Sequence, residues 1–241
     1  MGNGNWQERT ELLIGSEKLD KLKESHVLVV GLGGVGAYAA ESLCRAGVGE
    51  LTIVDGDVLN VSNKNRQLPA LESTIGKPKA EVLGNRLLDI NPELKVNVIQ
   101  EYLRIPRMSE ILETKFDYVV DAIDTLSPKT YLIYHSIQNG LKIVSSLGSG
   151  ARIDPTKITI KDISKSYNCR LGVQLRKRLR KHGINKGFKV VFSEDKADSN
   201  AVIVDEPEEN KKSTVGTISY IPPIYGCFCA SVVIRDLMEM D

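Results

Sequence analysis

Cysteine is scarce in this chain, histidine is scarcer, and charge of either sign nearly cancels. The four cysteines, Cys44, Cys169, Cys227 and Cys229, have no framework spacing. That excludes a disulfide-stapled secreted domain and points to a reduced, cytoplasmic setting. The three histidines, His26, His135 and His182, fall at a strand start, in a helix and in a basic run, and each reads as structural. A formal net charge of +1 excludes a global field drawing the chain to nucleic acid or membrane, so any such affinity has to be local. Met1 to Trp6 has no signal-peptide core. The most apolar stretch, Ile218 to Met238, is broken by Pro222, Pro223, Arg235 and Asp236, so no spanning segment and no membrane partner are expected. A G-x-x-x-x-G-K-[ST] loop is also absent, which excludes a P-loop enzyme.

What is there is a chain of 241 residues, 41% of them hydrophobic, ample for one core without staples. Short apolar runs alternate with helical patterns through the first 150 residues. Strands are expected at Val27 to Val30, Leu51 to Val54, Val96 to Ile99, Tyr118 to Val120 and Lys142 to Ser145. Helices are expected at Lys79 to Ile90, Met108 to Thr114 and Pro128 to Asn139. The alternation predicts an α/β fold, a Rossmann-like, mostly parallel sheet with helices on both faces. After Gly150 the texture changes. Lys157 to Ile163 alternates as an exposed antiparallel strand would, Phe188 to Phe192 is another strand, and Leu171, Leu175 and Leu179 stripe a basic helix. This part reads as a C-terminal mixed or antiparallel extension. Ser193 to Ser213 reads as a mobile loop, and Ile224 to Met240 as a closing helix.

The first chemical signal is Gly31-Leu-Gly33-Gly34-Val-Gly36, which follows a strand and opens a helix. Such glycines let backbone N–H groups approach phosphate where the helix dipole favours negative charge. Asp55 ends the next strand, nineteen residues past Gly36, where an acid binds ribose hydroxyls. Any nucleotide with a ribose fits this much, NAD included.

Next come Asp55-Gly-Asp57-Val-Leu-Asn-Val-Ser62-Asn63-Lys-Asn-Arg66-Gln67, then Gly76-Lys-Pro78-Lys79, then Asp121-Ala-Ile-Asp124. Their order and spacing resemble the core signature of the ubiquitin-activating-enzyme-like adenylating enzymes, D-x-D-x-V-x-x-S-N-x-x-R-Q, G-x-P-K and D-x-x-D. The resemblance implies ATP and Mg²⁺ as cofactors and an acyl-adenylate as product. The residue types suit that chemistry, because a carboxylate attacking a polyanion needs its like charge neutralised. Arg66 forks onto phosphate oxygens, Lys79 supplies a point charge and Asn63 a neutral donor. Asp124 is the expected Mg²⁺ ligand, and Asp57 and Gln67 complete the nucleotide set. A hydride-transfer enzyme has no use for this cationic group, so an NAD-dependent oxidoreductase is the weaker reading. Upstream, Arg9-Thr-Glu-Leu-Leu-Ile-Gly15 resembles the family's R-x-x-x-L-x-G segment, which implies a homodimer with Arg9 reaching the neighbour's nucleotide. On this resemblance residues 1–25 are a dimerisation segment, 26–150 the nucleotide-binding core and 151–241 the substrate-binding portion of a single unit, 1–241.

Relatives that activate small sulfur-carrier proteins carry two C-x-x-C pairs, and none occurs here. Cys227 and Cys229 stand about 200° apart around a helix at 100° per residue, poor geometry for one metal. The second half instead resembles the tRNA threonylcarbamoyladenosine dehydratases, through Gly148-Ser-Gly150-Ala-Arg-Ile-Asp154-Pro155, Lys161-Asp-Ile-Ser164-Lys-Ser-Tyr-Asn-Cys169, Arg176 to Ile184 and Lys189-Val-Val-Phe-Ser193. It departs at Arg170, where proline is expected after Cys169. That branch implies activation of the threonyl carboxylate of a modified adenosine beside the anticodon, then ring closure with release of AMP and pyrophosphate. The alternative is adenylation of a small carrier protein's C-terminus, and a cysteine-desulfurase-type partner is a further expectation of the wider resemblance. Independently, eight Lys or Arg and no acid occupy Arg170 to Lys189. Arg176, Lys177, Arg178, Arg180 and Lys181 are therefore candidate tRNA contacts. Few aromatics interleave with this run, which predicts a grip on backbone and shape.

Overall fold

A computed structural model describes residues 5–203 and 214–239. The chain opens with two short helices, α1 (Glu8–Ile14) and α2 (Ser16–Glu24), then β1 (His26–Val30), α3 (Gly36–Ala46) and β2 (Glu50–Val54). Next come α4 (Lys79–Ile90), β3 (Lys95–Ile99), α5 (Ile105–Leu112), β4 (Tyr118–Asp121), α6 (Leu126–Gln138) and β5 (Ile143–Ser146). The remainder holds β6 (Ile158–Asp162), α7 (Arg170–Arg180), β7 (Lys189–Ser193), β8 (Val202–Ile203), β9 (Thr214–Val215) and α8 (Ile221–Leu237).

Seven strands form one sheet in the order β3-β2-β1-β4-β5-β7-β6, all parallel except β6, which runs antiparallel to β7 at the edge. The expected α/β class, with its mixed C-terminal extension, is what the chain adopts. Side chains alternate between the two faces, as strand geometry requires. Val27 and Val29 of β1 join a core with Ala40, Leu83 and Val233, from α3, α4 and α8. Leu28 and Val30 join the opposite core, with Met108, Leu132 and Leu175 from α5, α6 and α7. Both faces are covered, which is why β1 reads as a run of Val and Leu and the other inner strands are rich in Val and Ile. Strand order reverses between β1 and β4, and a crevice opens beyond the strands' carboxyl ends at such a point.

Three helices begin earlier than their sequence reading. α5 starts at Ile105 rather than Met108, α6 at Leu126 rather than Pro128, and α8 at Ile221 rather than Ile224. In each case a proline (Pro106, Pro128, or Pro222 with Pro223) lies inside the first turn, where its missing N–H costs nothing. The loop read over Ser193 to Ser213 is also corrected in its first half. Ser199–Ala201 is a 3₁₀ turn, and β8 pairs antiparallel with β9. Residues 204–213 lie outside the described residues. Among the described residues no helix is long and apolar enough to cross a membrane.

Candidate active site

The glycine turn leaving β1 is built so tightly that two of its glycines admit no substitute. Gly31 has φ +87°, and a Cβ there would meet the Ala122 carbonyl oxygen at 2.8 Å. A Cβ on Gly36, at the start of α3, would lie 1.7 Å from the Gly31 carbonyl oxygen. Gly33 differs, since a Cβ there would find only Gln67 Nε2, at 3.8 Å. That open side lies just before the N-terminus of an 11-residue helix with no acidic residue in its first turn, where the helix dipole favours an anion.

Asp55 braces the turn from β2. Its Oδ2 accepts the Leu32 N–H at 2.6 Å and its Oδ1 the Asp57 N–H at 2.8 Å. Burial pushes its carboxyl above the usual range, opposed by nearby Lys79 and by the two amides. Asp57 carries the next contacts: Lys79 Nζ lies 2.7 Å from its Oδ2, and the Tyr102 hydroxyl donates to its Oδ1 at 2.5 Å. Lys79 is 5% exposed and is the first residue of α4, so it is not an ordinary solvated helix lysine. A cation at a helix N-terminus opposes the dipole by about 0.3–1 kcal/mol, and needs an anion beside it.

Asn63, the last residue of the 3₁₀ turn Val61–Asn63, and Gln67, four residues on, are both buried, and Asn63 Oδ1 caps the Asn60 N–H at 3.0 Å. The Asn63 carbonyl accepts the N–H groups of Arg66 and Gln67, turning both side chains toward the glycines. Arg66 Cγ is 3.3 Å from where a Cβ on Gly34 would stand, and its guanidinium rests on the Ser62 carbonyl and Asn65 Oδ1. Gln67 Oε1 is buried without a hydrogen-bond partner, an orphan acceptor that a bound ligand would satisfy.

Asp124 is exposed on the turn between β4 and α6. Two residues escaped the sequence reading here. Lys129, fully buried on α6, donates to Asp121 Oδ2 at 2.7 Å and to the Ile123 carbonyl at 2.8 Å. Asp121 also accepts the Ser145 hydroxyl at 2.6 Å and the Ile123 N–H at 3.1 Å. Together they fix the turn that presents Asp124. Tyr102 is the second, and neither it nor Lys129 carries a local motif.

The structure therefore sets Asp55, Arg66 and Gln67 against the glycine turn, joins Asp57 to Asp55 and Lys79 to Asp57, holds Asn63 beneath Arg66 and Gln67, and carries Asp124 two residues past Ala122, whose carbonyl abuts Gly31. It does not bring Arg9 there. Arg9 is exposed on α1, whose leading Gln7 packs at Gly47 just before β2 begins, the sheet end opposite Asp55. Of the basic residues on and after α7, Lys177, Arg178, Arg180 and Lys181 are exposed, whereas Arg176 is half-buried and donates to the carbonyl and hydroxyl of Ser166. Cys169 caps α7, its Sγ accepting the Gly172 N–H at 3.5 Å, and Arg170 takes the first helical position, one that proline also favours. Cys229 is buried and Cys227 exposed on α8.

Comparison with known proteins identifies the family. The pattern of the ThiF family matches residues 7–240. The chain is 36% identical over 238 residues to a tRNA threonylcarbamoyladenosine dehydratase of Bacillus subtilis, covering 96% of this chain and 94% of that one. It is 37% identical over 203 residues to the Escherichia coli protein of the same name, covering 83% and 76%. The crystal structure of E. coli tRNA N6-threonylcarbamoyladenosine dehydratase, TcdA, in complex with ATP superposes with a TM-score of 0.89 at 32% identity, covering 99% of this chain and 98% of that one. On the family match and these likenesses, the chain belongs to the ThiF family.

Proposed function

We propose that this chain is an ATP-dependent tRNA threonylcarbamoyladenosine dehydratase. The observation that carries the reading is the glycine turn after β1, braced by Asp55, with Arg66 and Gln67 packed against it and the turn bearing Asp124 beside it. The relatives named for this activity, one of them crystallised with ATP, support it. The open side of Gly33 and the orphaned Gln67 Oε1 fit a nucleotide. Arg66, Lys79 and the Asn63 amide bind triphosphate oxygens and offset the charge of the approaching carboxylate. Asp55 and Asp57 hold the loop that receives the ribose. Asp124 would hold Mg²⁺, which supplies charge neutralisation as pyrophosphate departs. The threonyl carboxylate attacks the α-phosphorus and pyrophosphate leaves. The acyl-adenylate then closes intramolecularly, and the carboxylate oxygen departs on AMP, so the base loses water overall.

The same reading makes residues 1–25 a dimerisation segment. α1 buries none of its residues, and Leu12 and Leu13 are 87% and 84% exposed, a surface for a second copy of the chain. Since Arg9 faces away from its own crevice, it acts on the partner's nucleotide. Residues 26–150 hold the nucleotide, and residues 151–241, with Lys177, Arg178, Arg180 and Lys181, meet the tRNA in a cytoplasmic setting.

The test is pyrophosphate release from ATP and Mg²⁺ with tRNA bearing threonylcarbamoyladenosine, followed by mass spectrometry of the nucleosides. A product lighter by one water is expected. Release that needs a carrier protein in place of tRNA would move the reading to the alternative substrate. Asp124→Ala and Arg66→Ala should each abolish release. Mixing Arg9→Ala with Asp124→Ala protein should restore activity that neither has alone; a mixture as inactive as its parts removes Arg9 from the partner's site.

A further inference from the structure

The basic run is poor in aromatic residues along the chain, yet the fold supplies them from another helix. Tyr131, Tyr134 and His135 of α6 lie at i, i+3 and i+4 and so share one helix face, where His182, just past α7, meets them. The Tyr134 and His182 ring centroids are 4.8 Å apart at 44°, and Tyr134 and His135 are 5.0 Å apart at 70°. Tyr131 lies 6.0 Å from His182 and 6.3 Å from His135. The three α6 rings are half-exposed and His182 is exposed. Lys181 adjoins His182, and Arg178 stands one helical turn before it. At about 1.5 Å per residue, Tyr131 to His135 lie roughly 8–14 Å along α6 from its start beside the Asp124 turn. Four aromatic rings, edged with exposed cations and a short span from the crevice, fit single-stranded RNA. Unpaired bases stack on aromatic side chains while Lys and Arg hold the backbone, whereas a paired stem hides its base faces.

We propose that Tyr131, Tyr134, His135 and His182 form a stacking platform for an unpaired tRNA base near the one entering the crevice. The proposal rests on the dehydratase reading and specifies how that enzyme would recognise a loop. Stacking then accompanies the backbone grip expected of the basic run, with charge supplied by Lys177, Arg178 and Lys181.

The experiment measures binding of the full chain to two RNAs of equal phosphate count, a hairpin with the anticodon loop and a fully paired duplex, across a salt series. His182→Ala, and Tyr134→Leu, which keeps apolar packing, should each weaken hairpin binding about tenfold. Their salt dependence and duplex affinity should match wild type, and Tyr134→Phe should bind as wild type does. Lys177→Ala combined with Arg178→Ala should weaken both RNAs and reduce the salt slope by about one per charge removed. His182 is exposed, so its variant tests the platform even where Tyr134→Leu fails to fold. Unchanged hairpin affinity in His182→Ala, or an equal loss for the duplex, overturns the platform. Pyrophosphate release by wild-type protein on modified tRNA is measured alongside. Its presence with neutral ring variants discards the platform alone, and its absence discards the dehydratase reading.

Discussion

Two acid–lysine pairs flank the crevice, of the same 2.7 Å length and opposite character. In the pair between β4 and α6, the side chains of Lys129 and Asp121 are both 0% exposed. In the pair between the Asp57 loop and α4, the side chain of Lys79 is 6% exposed but that of Asp57 is 42% exposed. The first is closed on every side, with Ser145 and the Ile123 amide on the acid and the Ile123 carbonyl on the amine. Its members have no other partners to take, so it acts as a rivet for the turn bearing Asp124. The second has one partner open to water. An incoming triphosphate can take Lys79 from Asp57 without burying an unpaired charge, since Asp57 keeps its bond from Tyr102 and its access to solvent. The distance within each pair is shared; exposure separates the sealed pair from the one that can open.

Breaking the sealed pair gives the largest expected effect. Lys129→Met leaves the Asp121 carboxylate buried without its cation, and removing one partner of such a pair costs about 3–5 kcal/mol. Urea unfolding reads this directly. Adding Asp121→Asn should return part of the loss, because a neutral amide tolerates burial better than an orphaned charge. A Lys129→Met cost below about 1 kcal/mol, the range of exposed pairs, would erase the distinction between the two pairs.

The open pair should respond the other way round. Lys79→Met leaves Asp57 partly solvated, so the stability change should stay within about 1 kcal/mol. Its effect should fall on nucleotide binding instead. A lost charge-assisted hydrogen bond of about 1.5–3 kcal/mol corresponds to roughly a 10- to 150-fold weaker affinity for ATP. Calorimetric titration with ATP checks this. Wild-type affinity in the variant would leave Lys79 as Asp57's structural partner only.

Much of this was legible in the residues, and the reasons are physical. β1, β2 and β4 are buried on both faces, so each announces itself by a short apolar run, and the turn after β1 needs glycines that no other residue replaces. The sheet order was not legible. β7 inserts beside β5 through pairs such as Val144 with Lys189, and no local pattern encodes a partner so far along the chain. The helix starts misled because proline breaks a helix interior and suits its first turn. Lys129 was invisible for a different reason. A lysine in a helix is ordinarily solvated, and only the packing of α6 against β4 and β5 seals this one. Arg176 shows the converse, since its place in a basic run suggested a free cation while the fold ties it to Ser166. Aromatics missing beside the basic run came from α6, which only tertiary structure brings close.

The smallest expected effect is the most specific to the open pair. The Tyr102 phenol is held up at about 12, against an ordinary 10.0, chiefly because it donates to Asp57, with burial adding less. A phenol bonded to a carboxylate resists ionising, since the phenolate would face that negative charge. In Asp57→Asn the acceptor is neutral, and the Tyr102 ionisation should fall back toward 10. Ultraviolet titration, taken as the difference between each protein and the same protein with Tyr102→Phe, isolates this one phenol. Asp121→Asn should leave it unmoved, because the sealed pair makes no contact with Tyr102. Saturating ATP should not lower it either, since Asp57 relieved of Lys79 carries a less compensated charge. A Tyr102 that already ionises near 10 in the wild-type protein would mean that Asp57 is turned away from the phenol in solution, and Lys79 would then have no openable partner to exchange.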